Sequence, residues 1–464
     1  MEHQRIRSRE MEVNTMAMLD ASGFNKADQD LNDDRNAFLE AVRSASLVPD
    51  HGVAPTKKMF EAVFQILKDG NSLELIIASY QLLHELDEHF PRVYVSKVES
   101  SKLPSSSNVP ELIVVEEAWS PFMFGSDSER HNANKNSGQS LDSAVFHTLI
   151  QDLAEVSVAT KIEELDTKSL GIMLLFQYLV SVLERDFIPR YAMCKENMNW
   201  NLLRESLLNM LLGSRRINYK GLVKDCLSIM FEISGACNDI RHCSKLQENP
   251  AKEPSKCYDY AVAISFSEVQ KHMCLAMQKL LLMAIELDSS KKKADVLGLT
   301  TRADGLRTPV VELIQDELSY NRDALSPFFQ VFNEPEWKLE IIVQYLQKYI
   351  SKPSVRTRQS SVPTDDATFD GILKCFLDTN RAKNITKKIT SEVAQLLLAH
   401  AFQAYLSLSS QHLDGDVRDS SLVDICKDII SAFTNLKRID KHMEILPFGK
   451  EALFTAATIL STKS

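Results

Sequence analysis

The segment from Asp288 to Pro309, DSSKKKADVLGLTTRADGLRTP, places three consecutive lysines, two glycines and two later arginines in a chain whose formal net charge is -10. Lysine and glycine are the residues that cradle phosphates: glycine lets the backbone approach closely, and lysine supplies the compensating charge. The spacing does not serve that chemistry. Gly298 and Gly305 stand outside the G-x-x-x-x-G-K-[ST] arrangement, and no lysine-serine or lysine-threonine pair follows them. Asp288, Asp295 and Asp304 offset most of the charge of Lys291, Lys292, Lys293, Arg302 and Arg307. Lysines just after AIELD suit the C-terminal end of a helix, where cations complement the dipole, so the segment reads as a helix end and connector. A nuclear-import role for Lys291 to Lys293 is the alternative.

Metal ligation has one candidate region, holding Cys226, Cys237, His242, Cys243, Cys257, His272 and Cys274. Thiolate and imidazole are zinc's preferred ligands, but these spacings form no paired C-x-x-C or H-x-x-x-H arrangement, and cysteines on helices serve as small core residues. No metal or cofactor is expected. Glu163, Glu164 and Asp166, and the pair Asp365 and Asp366, have the residue types of acid/base catalysis. Adjacent acids at helix starts interact with the helix dipole, which is the preferred reading. Signatures of nucleotide binding, zinc proteolysis and serine hydrolysis do not occur, so no catalytic residue is assigned.

Local charge is more informative. Between Lys348 and Lys388 nine positive residues face four negative ones, against the acidic trend of the whole chain. Lys348, Lys352, Arg356, Arg358, Lys383, Lys387 and Lys388 form a candidate patch for an acidic partner surface or for phosphates, and phosphorylation of Thr357 or the nearby serines would cancel its charge. The competing reading is a solvated loop followed by a polar helix start.

The elements that must carry these residues are helical. Asn32 is a candidate cap for a helix ending before Pro49; Phe60, Val63, Phe64 and Leu67 follow the i, i+3, i+4, i+7 stripe up to Gly70; Ser72 then caps a helix with Leu73, Ile76, Ile77, Tyr80 and Leu83 on its stripe. Helical periodicity returns near Leu141 and continues with breaks near Pro189 and Gly213. Trp337, Ile341 and Tyr345 repeat at fourfold spacing. The apolar island ELIVVEEAWSPFMF sits between polar loops as an anchored segment. The fold class expected is all-α: an irregular armadillo/HEAT-like helical solenoid or multi-helix array. A flexible N-terminal arm is expected over 1–30, then a helical array over 31–464 with loops near 97–110, 125–140, 245–257, 351–368 and 409–420.

Composition limits the function classes. The chain has 464 residues, of which 44% are hydrophobic, and only 14 glycines and 15 prolines, which fits a helical protein with a large core. An excess of acidic residues argues against a surface that coats nucleic acid. Leu170 to Leu183, the most apolar stretch, is too short to span a bilayer, and no secretory leader is apparent, so no membrane association is expected. Eight dispersed cysteines fit a reducing compartment, the cytosol or nucleus.

Several segments carry a resemblance. LDSSKKKADVLGLTTRADGLRTP, WKLEIIVQYLQKYISKPSVRTR, KNITKKI and IISAFTNLKRIDKHMEILPFGKEALFTA are similar to the plant family of negative regulators of systemic acquired resistance, as are EAVRSASLVPDHGVAPTKKMF and VVEEAWSPFMFGSD. The similarity is weakest from Ser234 to Tyr260. It implies a nuclear, leucine-rich, armadillo-like protein that represses defence genes. It also implies a subunit of the five/six structural-maintenance-of-chromosomes (SMC) complex, paired with another helical non-SMC subunit and linked to the DNA damage response and homologous recombination. Chromatin would be engaged indirectly or weakly, and no catalytic residue and no small-molecule substrate belong to that picture. The alternatives are a direct DNA-binding repressor and a cytoplasmic helical adaptor.

Overall fold

In the computed structural model the described residues are 11–19, 28–48, 52–96, 110–116, 118–124, 141–158, 167–243, 255–305, 307–350, 368–411 and 417–463. They form an all-α helical array with one small two-stranded sheet, and they cluster into two units, Met1–Leu313 and Ile314–Ser464.

The first unit contains helices α1 (Asp28–Ser46), α2 (Lys57–Asp69) and α3 (Leu73–His89), then strands β1 (Val93–Ser96) and β2 (Glu111–Val114). Helices α4 (Ser143–Val158), α5 (Thr167–Asn197), α6 (Trp200–Arg204), α7 (Leu207–Leu212), α8 (Tyr219–Cys243) and α9 (Ser255–Val296) follow. Helix α5 is the hub: it packs against α3, α4, α6, α7, α9 and the hairpin. Its run from Met173 to Val180 is buried without interruption, as expected of a helix covered on all sides. Pro189 lies inside α5 and does not end it, contrary to the expected break. The neighbouring residues hold the helix there. Asp186 Oδ2 accepts the Leu207 N–H at 2.8 Å, its Oδ1 lies 3.4 Å from Arg190 Nε and 3.8 Å from Arg92 Nε, and Arg190 donates to the Leu202 carbonyl at 3.2 Å.

The second helix has the expected stripe, with Phe60, Val63, Phe64 and Leu67 buried, and Ser72 caps α3 by accepting the Leu75 N–H. Helix α3 presents a different face from the one expected. Leu75, Ile76, Ser79, Leu82, Leu83 and Leu86 are buried, while Leu73 and Ile77 are exposed. Ser79 fits that interior because its hydroxyl donates back to the Leu75 carbonyl at 2.6 Å. Asn32 lies within α1, which begins four residues earlier than its expected cap. The apolar island supplies β2, antiparallel to β1 with Val93 opposite Val114. Trp119 then seats its ring 5.5 Å from Phe60 and 5.4 Å from Phe64. Within the expected arm, residues 11–16 are helical, and Glu12 meets Lys58 at 2.9 Å.

The division between units falls inside α10 (Val310–Tyr320). The second unit continues with α11 (Leu325–Val331), α12 (Pro335–Gln347), α13 (Phe369–Leu377), α14 (Thr379–Ile389), α15 (Ser391–Gln411), α16 (Val417–Ile439) and α17 (Pro447–Lys463). Helix α15 is central, packing on α12, α14, α16 and α17. Pro335 opens α12 at its first turn, and Ile341 and Tyr345 are buried as the fourfold spacing requires. Most of the expected loops lie outside the described residues; at their margins α9 begins at Ser255, α15 reaches Gln411 and α16 begins at Val417.

Candidate functional site

The lysine triplet lies in the last turns of α9, which runs to Val296. Gly298 stops that helix at φ +70°: the Leu299 N–H donates to the Ala294 carbonyl at 2.9 Å and the Gly298 N–H to that of Asp295 at 3.1 Å, the paired bonds of a Schellman cap. The chain then folds back on itself. Thr301 and Asp304 form a capping box, Gly305 turns at φ +64°, and Lys291 Nζ donates to the carbonyls of Asp304, at 2.7 Å, and Gly305. Asp288 anchors the far end, pairing with Arg307 at 2.7 Å and accepting the Val310 N–H at 2.9 Å. Arg307 also lies over the Tyr219 ring, 5.0 Å from its centroid. The segment is a structured connector, as its spacing suggested, with Asp288, Lys291, Asp304 and Arg307 holding the turn while Lys292, Lys293 and Arg302 are exposed.

This connector forms one wall of a groove of about 640 Å³. Arg204, Arg215, Arg216, Lys291 and Arg307 line it together with Asp142 and Asp304, and Met123, Phe124 and Met210 supply an apolar side. The two carboxylates are held by donors. Asp142 caps α4, accepting from Ala144 and Val145 N–H at 3.0 Å each, and meets Arg216 at 2.9 Å. The Val145 N–H, followed by Arg216 and the Ala144 N–H, outweighs the effect of burial and holds its pKa down. Burial alone would raise the Asp304 pKa, but the Thr301 N–H and hydroxyl, the Trp200 indole and Arg204 together lower it. The sequence singled out Lys291 and Arg307 only within the connector, and did not point to Arg204, Arg215 or Arg216, because folding alone brings these separate segments together.

The patch expected from local charge lies in the second unit and is partly described. Lys352, Arg356, Arg358 and Thr357 lie outside the described residues, as do Glu163, Glu164, Asp166, Asp365 and Asp366. Lys348 pairs with Asp316 at 3.1 Å. Lys388 donates to the Tyr349 carbonyl at 3.3 Å, and Arg322 to the Lys388 carbonyl at 2.9 Å, which brings Arg322 beside the expected cluster. Helix α14 buries Ala382, Ile385, Thr386 and Ile389 and turns Arg381, Lys383, Lys387 and Lys388 outward. Thus Lys348, Lys388 and Arg322 are linked through α10, α12 and α14, while Lys383 and Lys387 stand on the exposed face of α14.

Among the described residues, no group of three or more His, Cys, Asp or Glu side chains comes together to hold a metal ion. Cys226 is fully buried, and burial, with Asp225 beside it, pushes its thiol pKa up. Cys274 is also buried, whereas the side chains of Cys237, His242, Cys243 and Cys257 are outside the described residues. No described helix is long and apolar enough to cross a membrane.

Comparison with known proteins gives the lineage of this arrangement. Residues 92–334 match the SNI1 middle domain and residues 350–464 the SNI1 C-terminal domain. The chain is 48% identical over 456 residues to the negative regulator of systemic acquired resistance SNI1 of Arabidopsis thaliana, covering 98% of this chain and 95% of that protein. The chain belongs to the SNI1 family. The groove lies wholly within the SNI1 middle domain, while Lys383, Lys387 and Lys388 lie in the SNI1 C-terminal domain. No solved structure matches the chain.

Proposed function

We propose that this chain is a non-enzymatic nuclear scaffold that represses systemic acquired resistance genes as a regulatory subunit of the five/six SMC complex. The observation that carries the regulatory reading is its near full-length similarity to the Arabidopsis regulator. A helical array offers long surfaces to other proteins, which supports a role in assembly. In this reading the direct partner is another helical non-SMC subunit. The complex then brings the chain to chromatin, with consequences for the DNA damage response and homologous recombination as well as for defence genes.

The outward face of α14 supports one further contact. Lys383, Lys387 and Lys388, with Lys348 nearby in sequence order and Lys352, Arg356 and Arg358 between them, would meet an acidic partner surface or phosphates. Direct DNA binding through the same cations is the second reading, and the chain's formal net charge of -10 works against it.

Purification of the tagged chain from plant nuclei tests the assignment. Subunits of the five/six SMC complex are expected in stoichiometric recovery. Exclusion of the chain from nuclei, or recovery without any of those subunits, contradicts it. Tight, sequence-selective DNA binding by the chain alone would replace the scaffold with the direct repressor.

A further inference from the structure

We propose that the groove in the first unit is a docking site for an acidic segment of a partner protein, one that carries an apolar side chain beside its carboxylates. This deepens the scaffold reading and rests on it only for the existence of protein partners.

The imbalance of donors and acceptors in the groove supports the proposal. Both oxygens of Asp142 already accept hydrogen bonds, Oδ1 from two backbone N–H groups and Oδ2 from Arg216. Both oxygens of Asp304 are similarly occupied: Oδ2 accepts from the Thr301 N–H at 2.6 Å and hydroxyl at 2.9 Å, and Oδ1 from Trp200 Nε1 at 3.2 Å, with Arg204 Nε at 3.3 Å. The lining acids therefore have little left to offer. The cations have more. A guanidinium carries five N–H donors, and Arg204, with 41% of its side chain exposed, spends its Nε on Asp304. Arg215 is exposed and makes no ion pair or side-chain hydrogen bond among the described residues. A ligand that supplies acceptors and negative charge fits this surplus.

The apolar side selects the kind of anion. Met123 is 55% exposed and lines the groove with Phe124 and Met210. Methionine adapts its shape to an incoming apolar side chain, and phosphates alone make no use of such a wall. A cavity of about 640 Å³ is the size that accepts side chains of a peptide, whereas a duplex presents a continuous convex backbone. The formal charge of -10 adds long-range repulsion against an extended polyanion, which a short acidic segment meets far less.

The test uses the full chain and a display library of short peptides. Selection is expected to enrich peptides that combine Asp or Glu with Leu, Phe or Met. Synthetic copies should lose about tenfold or more in affinity for Arg215→Glu and for Met123→Asp, and weaken as salt rises. Both side chains are exposed, so unchanged thermal melting of the variants shows that the fold is intact. Enrichment of nothing, enrichment of peptides without acidic character, or equal binding to wild type and both variants overturns the proposal. Displacement of the peptides by duplex DNA whose own binding falls with Arg215→Glu also overturns it, in favour of a nucleic-acid site. Selective acidic-peptide binding together with a failed nuclear purification would leave the groove assignment standing and remove the SMC-complex reading alone.

Discussion

Asp288 shows how one carboxylate organises the connector. It is 11% exposed and serves Arg307, the Val310 N–H and the Tyr219 hydroxyl at 3.4 Å, so its removal strands a guanidinium only 16% exposed. Asp288→Ala should destabilise the chain by about 3 kcal/mol, read from chemical denaturation, whereas Lys292→Ala on the exposed side of the same helix should be near neutral. His400 sets a pH dependence of a different kind. The residue is 3% exposed, neither ring nitrogen has a hydrogen-bond partner among the described residues, and the rings of Phe329 and Phe448 lie 5.8 and 5.1 Å away. Burial, aided by the charge of Lys338, lowers its pKa from 6.5 to about 4. The unfolded chain therefore takes up this proton first as the pH falls, so the stability associated with neutral His400 is present above pH 6.5 and lost towards about pH 4. His400→Phe should reduce the fall in melting temperature between pH 7 and pH 5; an identical fall in the variant would show that His400 is not responsible. Neither site was legible beforehand, because burial of a histidine and pairing of Asp288 with Arg307 depend on tertiary neighbours.

At the scale of elements, the sequence was clearest where side-chain periodicity and end signals agreed. The Phe60 to Leu67 stripe and the Ser72 cap are present as expected. The rotated face of α3 went unread because Leu and Ile occur on both sides and the buried Ser79 satisfies its own hydroxyl. Pro189 suggested a break, but the Asp186, Arg190 and Arg92 cluster ties α5 to its surroundings on either side of the missing N–H. Asp186→Ala should destabilise the fold by about 3 to 5 kcal/mol, since it leaves Arg190, 3% exposed, without its carboxylate. Conversely, Gly298→Ala meets no atom within 4 Å, so its cost should be the left-handed backbone alone, about 1 kcal/mol. Denaturant midpoints of the two variants check both values; equal effects would contradict the distinction between a buried charge and a helix stop.

For the whole molecule, the all-α class followed from sparse glycine and proline and from repeated apolar stripes, while β1 and β2 were hidden because each is only four residues long. The division at 313/314 carries no linker-like composition, since it falls within α10. The basic patch was visible as a run in sequence; the groove required Arg204, Arg215, Lys291 and Arg307 to be brought together by folding. The SNI1 family places the chain in the negative regulation of systemic acquired resistance, and 48% identity predicts interchange with the Arabidopsis relative. The direct measurement is expression of defence genes in Arabidopsis plants that lack that relative and instead produce this chain. Restored repression is expected; full derepression with the chain accumulated in nuclei would contradict its assignment as a negative regulator of systemic acquired resistance.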